Sequence, residues 1–187
     1  GRQTEIPASD YDVVVFENRF PSLAEPLGRC EVVCFTSDHS SSFAALTPRR
    51  VRTVLAAWID RTRALSALPG TRQVYCFENK GEEIGVTLHH PHGQIYGFPT
   101  VPPLPQREAE VAAQHGCPLC TLVPTEVDAR TRIVHDGGDW VTHVPFAAGH
   151  PFATLLAARS HTEDLASLDD AGRDGLRLSG LEPAGIF

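Results

Sequence analysis

The chain has 187 residues, 42% of them hydrophobic and 21% charged, with a formal net charge of −7. That length supports one good core or two small ones, and that balance is the composition of an ordinary globular protein. No stretch has the length and polarity of a membrane span or a signal peptide, and the acidic excess argues against a nucleic-acid partner, although a few local groups can still hold one phosphate pair. Five cysteines without a secretory segment point to the cytoplasm. There is no Met, and the sequence opens Gly1-Arg2-Gln3, so residues are expected to be missing ahead of it.

In chain order, residues 11–16 are a β-rich apolar run and predict a strand, and the two prolines of residues 18–28 predict a loop. Residues 30–35 predict a second strand, which ends in the polar stretch Thr36-Ser-Asp-His39-Ser. A helix follows, with Thr47 as N-cap and Pro48 at its first position. Its apolar stripe is Val51, Val54, Leu55, Trp58 and Ile59, at a 3.6-residue period, and Pro69-Gly70 ends it. Residues 74–77 and 95–98 predict strands on either side of a histidine cluster. The prolines of residues 99–105 read as a connector, and residues 107–115 as a short helix. Strands are then expected at residues 132–135, 140–144 and 153–157.

Two stretches match each other. In each, an apolar strand leads into a polar turn with one His (His39, His161), a Leu seven residues later (Leu46, Leu168) and a helix start. The match predicts an internal duplication with residues 99–116 as the joint: a first half over 1–98 and a second over 117–187. The second half has no counterpart of the histidine cluster and is therefore expected to be cut short.

His89-His90-Pro91-His92-Gly93-Gln94 is hard to explain as packing, since a lone His is usually a surface or hydrogen-bonded core residue. In an extended segment, alternation puts His90, His92 and Gln94 on one face, where a phosphate or a metal would suit them. A neutral imidazole can attack phosphorus when its other N–H is held by an acceptor such as a backbone carbonyl. Gly93 would let a phosphate approach the backbone. Gln94 can donate to a non-bridging oxygen without supplying a proton, which favours holding a covalent intermediate over hydrolysing it.

The segment from Phe77-Glu-Asn79-Lys-Gly to His90-Pro-His92-Gly-Gln94 resembles the galactose-1-phosphate uridylyltransferase family of the histidine-triad superfamily. So do Phe16-Glu-Asn18-Arg-Phe-Pro, Ser37-Asp-His39-Ser and Trp140-Val-Thr-His-Val-Pro-Phe with Pro151-Phe152. The resemblance runs in order over about residues 11–168. It implies an α+β fold in which duplicated histidine-triad-like halves pack helices over antiparallel sheet. It implies His92 as the nucleophile that takes the uridylyl group and Gln94 as the residue that orients the phosphates. By the same matching, Asn18, Asn79, Gly85 and Thr87 contact the nucleotide or its phosphates. His39 and His90 match two ligands of a structural zinc, whose other two ligands in the family are a Cys-x-x-Cys pair with no match before Asn18 here. The implied reaction passes a uridylyl group from UDP-glucose to galactose 1-phosphate by a ping-pong route, releasing glucose 1-phosphate and UDP-galactose. A homodimer is implied as well.

Cys117-Pro-Leu-Cys120 has zinc-ligand spacing but is half a tetrahedral site, and a reduced core pair or a redox motif has the same spacing. The repeat pairs His39 with His161, which makes Cys117, Cys120 and His161 the expected ligands, with a fourth beyond Phe187. Zinc is the expected metal. Iron is the variant seen in relatives that use a Glu with histidines, and Glu108 falls near that place. Cys30, Cys34 and Cys76 read as buried thiols, His115, His135, His143 and His150 as surface or packing residues, and Arg49, Arg50 and Arg52 as a solvated helix face. Two rivals to uridylyl transfer remain. One is an adenylyl-transferring phosphorylase of ADP-sugars or dinucleoside polyphosphates on the same fold, and the other a zinc-organised binding module without chemistry.

Overall fold

The computed structural model describes residues 5, 6, 8–84, 86 and 88–180. It divides into two compact units, Gly1–Pro102 and Pro103–Phe187. Both combine helices with antiparallel sheet, as the α+β expectation required.

The first unit contains β1 (Val14–Glu17), β2 (Arg29–Cys34), helix α1 (Pro48–Ser66), β3 (Gln73–Phe77) and β4 (His92–Phe98). The sheet order is β1-β2-β4-β3, antiparallel throughout. β1 starts three residues later than the apolar run suggests, because its pairing ends at Val14 with Cys34, the last residue of β2. With no partner strand beyond that point, Tyr11 leaves the sheet and turns its hydroxyl to His90.

Helix α1 begins where its cap predicts: Thr47 Oγ1 accepts from the Arg50 N–H at 3.3 Å, and Pro48 occupies the first turn. Val51, Val54, Leu55 and Ile59 are buried, and half-buried Trp58 stacks on Phe43 and meets Phe35 edge-on at 6.0 Å. Buried Glu31 of β2 accepts both arms of Arg61 of α1, at 2.7 and 2.8 Å, which fixes the helix on one sheet face. Along β4 the pleat then sorts residues strictly: Gly93, Ile95 and Gly97 are buried, while His92, Gln94, Tyr96 and Phe98 face the other way and are half-buried.

The second unit contains α2 (Pro103–His115), α3 (Pro118–Ala129), β5 (Ile133–Asp136), β6 (Trp140–His143), β7 (Leu155–Ala158) and α4 (Asp170–Gly180). Its sheet runs β5-β6-β7. Helix α2 starts at Pro103, earlier than 107, because prolines in a first turn lack an N–H that would go unpaired there anyway. Helix α3 was not anticipated, since Pro124 sits inside it and reads as a breaker. It persists because Pro118 opens it and packing holds it: Val123 joins Val141 and Ala157 in a core flanked by Val127 and Ile133. Buried Glu126 of the same helix is neutralised by Arg132 at 2.8 and 3.1 Å. Helix α4 packs on Trp140, whose Nε1–H donates to the Gly172 carbonyl at 2.9 Å.

The two units share a local plan. After β2, the turn with His39 leads to a single 3-10 turn (Phe43–Ala45), an extended Leu46 and then α1. After β7, the turn with His161 leads to a 3-10 turn (Leu165–Ser167), an extended Leu168 and then α4. Among the described residues no helix is long and apolar enough to cross a membrane.

Candidate functional site

His92 opens β4 opposite Cys34, at the end of the sheet where Pro91 is buried and His90 half-buried. Its Nδ1 lies 2.7 Å from the carbonyl oxygen of His90. A carbonyl oxygen only accepts, so Nδ1–H donates and the lone pair lies on Nε2. That is the arrangement a histidine nucleophile needs.

His90 is committed elsewhere. Its Nδ1 is 2.8 Å from His39 Nδ1, and its Nε2 is 2.9 Å from the Tyr11 hydroxyl. Burial, with His39 alongside, holds its pKa below the usual imidazole value. His89 is exposed and lies 3.9 Å from Glu82. His39 and His90 thus offer two neighbouring imidazoles, half of a tetrahedral donor set.

A cavity of about 340 Å³ opens here, and Asn79, Lys80, His90 and His92 are among its lining residues. Gln94 is one place further along the same face of β4, and its Oε1 accepts from the Tyr96 hydroxyl at 3.2 Å. Asn18 follows β1 directly, and its Oδ1 accepts from the Phe20 N–H at 2.9 Å, which leaves its amide N–H₂ for a ligand. Gly85 and Thr87 lie outside the described residues. Sequence reasoning did not single out Lys80 or Tyr96. Lys80 was hidden inside a motif read for Asn79, whereas Tyr96 could have been found by carrying the alternation one step past Gln94.

Gly93 differs from its expected use. It turns inward, and a Cβ there would lie 2.8 Å from both Phe35 Cζ and the Phe77 carbonyl oxygen. The glycine therefore serves packing beneath the nucleophile and gives a phosphate no route to the backbone on that side. Gly93→Ala is expected to lower the stability of the first unit by about 1–3 kcal/mol, since β3 backbone must move. Urea unfolding checks this, and an unshifted midpoint would show that the strand yields freely.

A second cluster lies in the other unit. Cys117, Cys120 and His161 bring their ligating atoms within 4.8 Å of one another, the group of this kind found among the described residues. Cys117 is the N-cap of α3, and Cys120 Sγ is 3.4 Å from His161 Nδ1. The backbone N–H of Cys120, with that of Leu119 and the His161 side chain, pulls the Cys117 thiol down to about 7 against the effect of burial. The neighbouring thiol of Cys120 is pushed up by Cys117. Two thiols and an imidazole in this spacing are a donor set for a thiophilic metal. Glu108 lies exposed on α2 and is not in the cluster.

Residues 17–102 match the family model for the N-terminal domain of galactose-1-phosphate uridyl transferase. A galactose-1-phosphate uridylyltransferase of Streptomyces lividans is 49% identical over 92% of this chain and 50% of its own length. A solved uridylyltransferase superposes with a TM-score of 0.82 at 29% identity, over 90% of this chain and 60% of its own. An ADP-glucose phosphorylase from Arabidopsis thaliana, solved with bound ADP-glucose, shares the fold with a TM-score of 0.77 at 23% identity, over 88% of this chain and 57% of its own. The chain spans about half the length of the Streptomyces relative. By sequence and by fold together, the chain is similar to galactose-1-phosphate uridylyltransferases over nearly all of its own length and about half of theirs.

Proposed function

We propose that this chain carries the nucleophile of a UDP-glucose–hexose-1-phosphate uridylyltransferase. His92 Nε2 attacks the α-phosphorus of UDP-glucose, and the bond from that phosphorus to the bridging oxygen breaks, so glucose 1-phosphate leaves. A phosphate oxygen of galactose 1-phosphate then attacks the same phosphorus, the P–N bond breaks, UDP-galactose departs and His92 is restored. Gln94 donates to a non-bridging oxygen, and Asn18, Asn79, Gly85 and Thr87 contact the nucleotide. The observation that carries this reading is the 2.7 Å bond from His92 Nδ1–H to the His90 carbonyl, which puts the lone pair of the neutral ring on Nε2.

The two units are read as repeats of one strand, turn and helix plan, the first half (1–98) with the active-site motif, the connector (99–116) and the second half (117–187). Zinc is proposed at Cys117, Cys120 and His161, where its part is structural; iron is the alternative that metal analysis decides. His39 and His90 are proposed as the two histidine ligands of the first half. The working form is proposed to be a cytoplasmic homodimer without nucleic-acid or membrane partners.

Adenylyl transfer to phosphate is the second reading, favoured by the fold shared with the ADP-glucose phosphorylase. A panel of UDP-glucose, ADP-glucose and dinucleoside polyphosphates, each with galactose 1-phosphate or phosphate as acceptor, separates the two. UDP-galactose is the expected product. Transfer from ADP-glucose to phosphate alone would replace the first reading by the second, and binding without turnover would leave a zinc-organised binding module.

A further inference from the structure

We propose that Tyr96 is a positioning residue that holds the Gln94 carboxamide in place toward the nucleotide; this rests on the reading of Gln94 as a phosphate donor. A carboxamide has an accepting oxygen and a donating N–H₂ on nearly the same shape, so it serves a ligand correctly in one of its two orientations. Phosphate oxygens only accept. A flipped Gln94 would present its own oxygen to the phosphate, a repulsive contact at the place where charge must be stabilised.

The Tyr96 hydroxyl restrains the carboxamide. Its one proton has two acceptors within reach, Gln94 Oε1 at 3.2 Å, two residues along on the same face of β4, and Ser22 Oγ at 3.2 Å. While that proton goes to Gln94, the oxygen stays on the Tyr96 side and the N–H₂ is directed away from it. The phenol is itself clamped: Phe77 meets its ring edge-on at 5.0 Å and 84°, and Phe98 at 5.9 Å and 62°. Phe77 is also the residue paired with Gln94 across β3 and β4, so the strand that braces the phenol is the one hydrogen-bonded beside Gln94. Ser22 belongs to the loop that follows Asn18, so Tyr96 ties the loop of one proposed nucleotide contact to the strand of another.

Tyr96→Phe keeps the ring and its packing and removes the hydroxyl alone. Two measurements on the whole chain test it. Side-chain ¹⁵N relaxation should show an ordered Gln94 carboxamide in the unaltered protein and a mobile one in Tyr96→Phe. The rate of covalent adduct formation from UDP-glucose should fall about tenfold with KM little changed, the size of one lost hydrogen bond used in the transition state. In a Gln94→Ala background the same substitution should cost nothing more. An ordered amide in Tyr96→Phe, or an equal rate loss in both backgrounds, overturns the proposal. If the unaltered chain forms no adduct, the reading of Gln94 as a phosphate donor fails, and Tyr96's part in catalysis with it. The relaxation measurement then still reports whether the hydroxyl orders the amide.

Discussion

His92→Ala is expected to abolish both the covalent nucleotidyl adduct and exchange, the largest effect any substitution in this chain should have. Loss of a covalent nucleophile removes the route itself, and a rate fall of about 10⁴-fold or more is the scale expected. The local geometry makes the prediction specific to one ring. His90 has both nitrogens engaged, by His39 and by Tyr11, and His89 lies out toward Glu82. Only His92 among the three combines a carbonyl-held Nδ1 with a place in the cavity wall. Incubation with UDP-glucose and no acceptor, followed by digestion and mapping, should place one uridylyl group on the peptide containing His92. The adduct should be stable to base and labile to acid, as a phosphoramidate is, and one equivalent of glucose 1-phosphate should be released. Substitutions at His115 or His135 should leave adduct and exchange intact. An adduct on His89 or His90, or normal exchange by His92→Ala, would overturn the mechanism.

Cys117→Ser is expected to empty the proposed metal centre of the second unit. Three ligating atoms already lie within 4.8 Å of one another, and removing one thiolate leaves one sulfur and one imidazole, too few to hold a structural ion. Metal analysis of the purified protein should find about one ion per chain at this centre before substitution and almost none after it. Cobalt loading gives an independent readout, since thiolate-to-cobalt absorption requires the sulfurs themselves. Because Cys117 caps α3 and Cys120 lies in its first turn, loss of the ion should also lower the unfolding midpoint of the second unit. Equal metal content in both proteins would sink the assignment.

Much of the first unit was legible because its signals were local. Thr47-Pro48 announced α1, its stripe marked the buried face, and the unbroken alternation from His92 to Phe98 described a strand with two different sides. The second unit was harder to read, because what holds α3 together is tertiary. Pro124 contradicts a helix locally, and only the packing of Val123 on Val141 and Ala157, with Glu126 held by Arg132, outweighs it. The site divides the same way. His92 and Gln94 were visible as residue types in a row, and the resemblance put His39 beside His90, whereas the Tyr96 hydroxyl on Gln94 joins groups whose meeting depends on side-chain direction. The role of Gly93 was misjudged for that reason: spacing says that a glycine is needed, and only the position of Phe35 says against what.

The strict sorting along β4 makes function on this strand a matter of parity. Even-numbered positions carry the proposed chemistry and odd-numbered ones carry packing, so the two can be varied separately, by library or by drift, with little crosstalk. The same sorting makes a slip of a single residue drastic. A slip of one residue against β2 would turn Ile95 and two glycines toward the nucleotide and drive His92 and Gln94 under α1. A chain slipped by one residue would therefore lose the proposed site as a whole rather than in part.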